Sequence, residues 1–137
     1  MIRFLFAGMF AVAMSGCMTP SGVSPVVRVQ PGRQFELALG QEAQIQGSTV
    51  TLRFSGVGED SRCGTDVQCV WAGNAVVRLT LSSSGATPSE SALNTTLDPK
   101  QTPYSGYTIR LVGLRPSPKA GKPIPQTEYV ATLEVVN

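Results

Sequence analysis

The residues best suited to chemistry in this chain are three cysteines, Cys17, Cys63 and Cys69. Five residues separate Cys63 from Cys69, in a stretch that also carries the one tryptophan of the chain, Trp71. In a reducing compartment a Cys-x5-Cys pair indicates a metal site or redox chemistry, whereas in an oxidising one it indicates a structural disulfide. The chemistry of this pair is therefore decided by the compartment in which the chain resides.

The N-terminus predicts export from the cytoplasm. Arg3 makes a short positive region, and an apolar run from Phe4 to Met14 follows it. A bilayer core of roughly 30 Å needs about 20 apolar residues, so this run is too short to span it. A signal peptide typically has a positive start, a short apolar run and small residues before its cleavage site. Residues 1–16 have this pattern. We therefore predict that Cys63 and Cys69 form a structural disulfide.

The end of the predicted signal peptide resembles the lipobox of bacterial lipoproteins, through the residues Met14-Ser15-Gly16-Cys17. The resemblance implies that Cys17 is acylated on its thiol and becomes the first residue of the mature chain. Several acyl chains, at about 0.8 kcal/mol per buried CH₂, give stable anchoring. Met18 stands where an Asp would signal inner-membrane retention, so the resemblance implies the outer membrane, facing the periplasm. The alternative is an ordinary signal peptide with a chance cysteine at its end.

The chain lacks the side chains that most hydrolytic and metal-dependent enzymes use. It contains no histidine, which excludes Ser-His-Asp and Cys-His catalysis and His-ligated metal sites. With Cys17 acylated and Cys63 paired with Cys69, no free thiol remains as a nucleophile or metal ligand. The 11 Lys and Arg side chains nearly balance the 9 Asp and Glu side chains, so nucleic acid is not a favoured partner. We predict a non-enzymatic protein without a metal or a cofactor.

The segment around the two cysteines carries four candidate binding residues, Asp60, Arg62, Asp66 and Trp71. We expect Trp71 to plug the open end of the sheets with its N–H bonded to a carbonyl; the alternative is an exposed recognition residue. Arg62 is expected to stack on Trp71, to pair with one of the two aspartates, or to be solvated. Val67 is expected to tuck inward. The acidic residues of this segment lack the D-x-D-x-D-G spacing of a calcium loop. We interpret them as turn-forming and solvated.

The elements that must position this segment are predicted to be β-strands. Val50, Leu52 and Phe54 alternate with polar residues just before it, which is typical of a half-buried strand. The same alternation predicts further strands at 35–39, 43–45, 77–81, 93–97, 107–111 and 129–136. No window after the signal peptide shows a helical stripe. The fold class predicted is all-β, an antiparallel β-sandwich or a partly closed barrel of about seven strands.

Proline-rich stretches mark the parts of the chain that are not expected to lie inside the sheets. The stretch 17–33 contains three prolines and is predicted to be the lipidated N-terminus and a flexible tether. Within it Val26–Val29 is β-prone, so an edge strand is the alternative there. The prolines of 115–126 exclude a helix or a central strand. What remains is a single β domain over 34–137.

One further resemblance covers most of the chain, from about Phe35 to Val136. Its marker is Asp60-Ser61-Arg62-Cys63-x5-Cys69-Val70-Trp71-Ala72-Gly73, which is similar to a motif of small bacterial lipoproteins and exported proteins of uncharacterised function. The pattern usually has Pro after the first cysteine, where this chain has Gly64, and this difference predicts a looser ring. The resemblance implies an exported β domain and carries no catalytic activity with it.

These features predict a lipid-anchored envelope protein that binds another envelope component through a disulfide-clamped loop. A hypothesis from another class is an inhibitor of a periplasmic or host hydrolase, such as lysozyme or a protease, because a rigid loop loses little entropy on binding. The proline-rich segment 115–125 would then supply a second contact. An enzyme that uses carboxylates or Tyr104 and Tyr107 is the third hypothesis.

Overall fold

The structure is a computed structural model that describes residue 16 and residues 25–137. The predicted lipidation site, Cys17, lies outside the described residues. So do residues 1–15, which make up most of the predicted signal peptide. Across 25–137 the chain forms nine strands, one 3-10 turn and no α-helix. The strands are β1 (Val27–Val29), β2 (Gln34–Ala38), β3 (Glu42–Ile45), β4 (Thr51–Gly58), β5 (Val76–Ser82), β6 (Ser89–Asn94), β7 (Gln101–Tyr104), β8 (Tyr107–Arg115) and β9 (Val130–Val136), and the 3-10 turn is Gln126–Glu128.

The strands make two sheets that pack face to face. One sheet has five strands in the order β1-β3-β4-β5-β6, and the other has four in the order β2-β9-β8-β7. Neighbouring strands are antiparallel, with the exception of β1, which runs parallel to β3. Both sheets are open, and no closed barrel forms from the described residues. The prediction of an all-β sandwich is confirmed, and the barrel alternative is wrong.

Apolar residues at every second position of the strands fill the space between the sheets. Successive side chains of a strand point to opposite faces, so alternation places one set inside. Each large aliphatic or aromatic side chain that is fully buried contributes about 1.5–3 kcal/mol. The largest fully buried side chains are Phe54, Leu37, Ile45, Leu52, Leu79, Leu81, Leu93, Ile109 and Leu133. Among the described residues, every polar or charged residue keeps some contact with solvent.

A bulge in β4 sets the direction in which the chain leaves the five-stranded sheet. The register against β5 shifts between Phe54 and Gly56, so Val57 is buried although it lies an odd number of residues after Phe54. An extra residue at a bulge bends the strand and increases its twist. The alternation predicted from Val50 to Phe54 therefore continues in a shifted phase as far as Gly58.

The first strand lies inside the stretch that was expected to be a tether. Val27, Arg28 and Val29 pair with Ala43, Gln44 and Ile45 of β3. The pairing buries Val29 in the core. The edge-strand alternative therefore describes these residues, and the sheets begin at Val27 rather than at Gln34.

Two further differences from the predicted strands lie around β7. The alternation pattern does not predict β7, which contains Pro103 and forms an edge of the four-stranded sheet. Proline is tolerated at an edge because its missing N–H is not needed for pairing. The strand predicted at 93–97 ends at Asn94, and Leu97 beyond it is exposed.

The two ends of the sandwich differ in the length of their connections. The loop end, as we call it, carries the long segments 59–75 and 116–129 and the shorter connections 39–41 and 95–100. The turn end carries four connections of two to six residues, 30–33, 46–50, 83–88 and 105–106. Binding and catalytic residues are found more often on loops than on strands, so the two long segments make the loop end the place to look for a functional site.

Candidate functional site

The candidate site is the connection between β4 and β5, residues 59–75, which we call the disulfide loop. Its two arms run side by side where they leave the sheet. The N–H of Ser61 donates to the carbonyl of Asn74 at 2.8 Å, and the N–H of Cys63 donates to the carbonyl of Ala72 at 3.1 Å. The base of the loop is thus a short continuation of the β4–β5 pair.

The outer part of the disulfide loop is closed by its two cysteines. Cys63 and Cys69 are joined by a disulfide, with Cα atoms 5.9 Å apart. The predicted disulfide is confirmed. A ring of this size removes chain entropy from the unfolded state equivalent to roughly 2–2.5 kcal/mol.

Reduction of this disulfide is expected to lower the free energy of unfolding by about 2 kcal/mol and to leave the sandwich folded, because the ring lies outside the core. The measurement is urea unfolding with and without a thiol reductant, with a Cys63→Ser and Cys69→Ser double variant as the matched control. Mass analysis after alkylation checks the premise, since the native protein should give no free thiol at either position. An unchanged unfolding midpoint in the reduced protein would show that the ring adds no stability.

Two glycines allow the backbone around the loop to approach closely. A Cβ atom on Gly73, whose φ is +69°, would collide with the carbonyl oxygen of Ser61 in the opposite arm. A Cβ on Gly64 would come within 2.8 Å of the backbone nitrogen of Ala120. Because glycine lacks a Cβ, it permits both close approaches, and at Gly73 it also adopts the positive φ without strain.

Arg62 fixes the disulfide loop to the other sheet. Its guanidinium makes a two-pronged ion pair with Asp60, from Nε to Oδ1 and from Nη2 to Oδ2, each at 2.8 Å. The same guanidinium donates to the carbonyl of Leu114 at 2.9 Å and to that of Pro116 at 3.0 Å. Both side chains of the pair are 13% exposed. The planar fork of arginine suits this arrangement, which lysine could not reproduce.

Tyr129 is the third member of this cluster and contacts it from the core side. It is buried at the loop end of the core, and its hydroxyl donates to Asp60 Oδ2 at 2.8 Å. An aromatic ring with a polar tip can fill apolar space while its hydroxyl reaches a partner at the edge. Asp60 thus accepts hydrogen bonds from the loop and from the residue just before β9.

The charges of this cluster are settled by its hydrogen bonds. The guanidinium of Arg62 holds the pKa of Asp60 below its ordinary value, and Asp60 raises the pKa of Arg62. Burial, followed by the bond to the Asp60 carboxylate, raises the pKa of Tyr129 to about 12. Near neutral pH the cluster is therefore an ion pair with a neutral phenol beside it.

These pKa shifts predict that stability is lost on both sides of a broad pH range. Because the pKa of Asp60 is depressed on folding, its contribution is present above its unfolded value of about 4 and is lost as the pH falls through the folded value. Because the pKa of Tyr129 is raised to about 12, its contribution is present below the unfolded value of about 10 and is lost as the pH rises through the folded one.

The check on this pH dependence is urea unfolding across the pH range. In Tyr129→Phe the free energy of unfolding should fall less at alkaline pH than it does in the native protein. Its decrease at acid pH, which comes from the ion pair, should remain. An alkaline limb that is identical in Tyr129→Phe and the native protein would contradict the role of Tyr129.

Asp66 lies on the other side of the disulfide loop and makes a different contact. Its Oδ1 accepts a hydrogen bond from the N–H of Ala120 at 2.9 Å, and this bond lowers the pKa of Asp66. The N–H of Thr65 donates to the carbonyl of Pro118 at 2.9 Å. The carboxylate is exposed, yet it joins the loop to the proline-rich segment.

Trp71 does not plug the sandwich. Its side chain is 82% exposed, and that of its neighbour Val70 is 91% exposed. The prediction of a plug is wrong, because the buried aromatic residue at this end is Tyr129. The prediction that Val67 tucks inward is also wrong, since Val67 is 45% exposed.

A neighbouring segment brings a further apolar side chain to the same face. The side-chain oxygen of Asn74 accepts hydrogen bonds from the N–H groups of Thr96 and Leu97 at 3.0 and 3.2 Å. This holds Leu97, which is 61% exposed, across a shallow cavity of about 410 Å³ from Trp71. We call Val70, Trp71 and Leu97 the apolar rim.

The structure divides the four predicted binding residues into three places. Asp60 and Arg62 meet in one partly buried ion pair, Asp66 bonds to the proline-rich segment, and Trp71 stands in solvent. Tyr129 was not predicted as part of the site. Its partner Asp60 is remote in sequence, so the only available signal was an aromatic residue at the start of a predicted strand.

Within residues 25–137 no group of three His, Cys, Asp or Glu side chains is placed to hold a metal ion. No helix among the described residues is long and apolar enough to cross a membrane. Comparison with protein-family models, curated proteins and solved structures gives no significant match for this chain. The resemblance to exported bacterial lipoproteins therefore stays a prediction.

Proposed function

We propose that this chain is a lipid-anchored, non-enzymatic protein of the cell envelope that binds another envelope component through the disulfide loop. In this proposal Cys17 is acylated and holds the domain at the outer membrane, facing the periplasm. The observation that carries the proposal is the apolar rim, a set of large apolar side chains left exposed on the firmly held disulfide loop and on the neighbouring segment 95–100.

The way in which the loop is held supports a role in binding. The disulfide, the Asp60–Arg62 ion pair and the two contacts to the proline-rich segment all restrict the loop. A contact surface that is already ordered loses less entropy when it binds. A tryptophan that is exposed on such a surface is the kind of side chain that dominates binding free energy.

The test is crosslinking in intact cells from a photoreactive amino acid placed at Gln68, which is exposed between the cysteines. The proposal expects one or a few crosslinked envelope components. The matched control is the same photoreactive residue at Ala86, an exposed position on the turn end. Equal labelling patterns from the two positions would contradict a specific role of the loop.

Metabolic labelling tests the anchor separately. A labelled fatty acid should enter the native chain and should be absent from Cys17→Ser. A native chain without label would contradict the lipid anchor and leave the loop to be judged on the crosslinking alone.

A second candidate function is inhibition of a periplasmic or host hydrolase, such as lysozyme or a protease. The observation that favours it is the docking of two segments side by side, through the Thr65–Pro118 and Asp66–Ala120 hydrogen bonds. Together they form a projecting, pre-ordered surface that suits an enzyme cleft. Inhibition of lysozyme or a serine protease by the native protein but not by Trp71→Ala would favour this function.

A further inference from the structure

We propose that the component bound by the disulfide loop is the lipid bilayer itself, with Val70 and Trp71 inserted into the interface of the membrane that holds Cys17. This inference rests on the proposed lipid anchor and names the partner of the same site. The domain would then be held by two contacts, the acyl chains and the apolar rim, and would rest against the membrane in a fixed orientation.

The distribution of exposed apolar side chains distinguishes the two ends of the sandwich. The apolar rim and Val67 all lie on the loop end. Among the described residues, none of the four connections of the turn end carries an exposed large apolar side chain. Soluble surfaces seldom concentrate their apolar residues in this way unless the patch contacts something.

The direction of β1 points the N-terminus towards the same end. β4 runs towards the disulfide loop, β3 is antiparallel to β4, and β1 is parallel to β3. The chain therefore enters β1 from the side of the loop end. A membrane anchor upstream of β1 would pull that end of the sandwich towards the lipid surface.

The length of chain between the anchor and β1 brings the loop end to the membrane. Cys17 to Val26 is ten residues, and a relaxed chain of that length spans roughly 16–19 Å while a fully extended one spans about 33–36 Å. Val27 pairs with Ala43, and Ala43 pairs with Leu52, so Val27 and Leu52 lie at the same position along the strand direction. From Leu52 to Gly58 is already about 20 Å at the rise of a β-strand. The disulfide loop projects further, so a relaxed connection leaves it in contact with the surface.

The side chains of the apolar rim suit the interface of a bilayer. Tryptophan is enriched at the headgroup level, where its apolar ring and its N–H are both accommodated. Charges on the loop end are mixed, with the acids Glu59, Asp66 and Asp98 and the bases Lys100, Lys119 and Lys122. Attraction to anionic headgroups is therefore not expected, and the contact should be insensitive to salt.

A bilayer explains these observations better than a protein partner does. A protein that binds the loop could approach from any direction and would not require the anchor to lie at the same end. A membrane requires both. The coincidence of the apolar rim with the end from which the chain enters β1 favours lipid.

The experiment uses Trp71 as its own reporter, because it is the one tryptophan of the chain. The acylated full-length protein is reconstituted into phosphatidylcholine vesicles, and quenching of its fluorescence is measured with aqueous iodide and with brominated acyl chains. We expect a shift of emission to shorter wavelength, loss of most iodide quenching and quenching by the brominated lipid, with no change when salt is added. Val70→Asp should restore iodide quenching.

The matched control moves the reporter to the turn end, in the double variant Trp71→Phe and Ala86→Trp. Its tryptophan should be quenched by iodide and not by brominated lipid. If Trp71 in vesicles is as accessible to iodide as the turn-end tryptophan, the bilayer is not the partner. The same vesicles are then supplied with detergent-extracted envelope proteins. If Trp71 becomes shielded from iodide only after these proteins are added, this inference is overturned and the proposed binding function is kept. If Trp71 stays accessible to iodide with and without them, the inference and the proposed function are both overturned.

Discussion

Arg62→Met is expected to lower the free energy of unfolding by about 2–4 kcal/mol, although the residue lies in a loop. Methionine fills a similar volume and removes the guanidinium. Asp60, whose side chain is 13% exposed, would lose its charged partner. The carbonyls of Leu114 and Pro116 would lose their donors at 2.9 and 3.0 Å. Groups that are left partly buried without a partner are the main source of the destabilisation.

The measurement is urea unfolding at neutral pH, with Arg53→Met as the matched control. Arg53 is an exposed arginine in the middle of β4, so its replacement should change stability by no more than about 0.5 kcal/mol. Equal effects of the two substitutions would contradict the role of Arg62 in joining the sheets.

A double-variant cycle separates the ion pair from the other contacts of Arg62. Asp60→Leu removes the charge that Arg62→Met leaves without a partner. The double variant should therefore be less destabilised than the sum of the two single changes, with a coupling of about 1–3 kcal/mol. Additive effects would mean that the ion pair contributes little and that the carbonyl contacts dominate.

Most of the sheet structure followed from the sequence, because one buried face imposes alternation on every strand that contributes to the core. Phe54 and its neighbours in β4 are the clearest case. The pattern failed at edge strands, which bury fewer side chains. The three residues of β1 bury only Val29, and β7 contains Pro103 and buries none of its four residues. Alternation carries little information where only one side chain or none is inside.

The candidate site was less predictable, because its contacts join segments that are far apart in sequence. The two-residue spacing of Asp60 and Arg62 allowed an ion pair, and the structure contains it. Nothing local indicated that Tyr129 would reach Asp60. The plug expected at Trp71 failed for the same reason, since a different aromatic residue, Tyr129 just before β9, already fills that end.

Gly64 shows how a local rule can mislead. Glycine in place of the proline usual in the resembling motif predicts a looser ring, if the ring is considered alone. In the structure the position faces the backbone of Lys119 and Ala120, where a Cβ would come within 2.8 Å of a nitrogen. The glycine permits the proline-rich segment to dock on the loop. It therefore helps to hold the ring from outside.

Trp71→Ala is expected to separate binding from stability more clearly than any other substitution in the chain. The side chain is 82% exposed, so its removal should change the free energy of unfolding by no more than about 0.5 kcal/mol. If Trp71 is the centre of the contact, its removal should weaken binding by at least about 2 kcal/mol, which is roughly thirtyfold in affinity. The yield of crosslinks from Gln68 in intact cells should fall accordingly, whether the component is lipid or protein.

The matched control for this effect is Val112→Ala, which truncates an exposed apolar residue of β8 outside the disulfide loop. Its crosslinking yield from Gln68 should equal that of the native chain. Trp71→Phe should retain part of the binding, because the ring keeps apolar area and loses the N–H. A Trp71→Ala protein that unfolds at lower urea would assign the residue to the packing of the loop. A stable one with undiminished crosslinks would remove Trp71 from the contact and leave Val70 and Leu97 as the residues to substitute next.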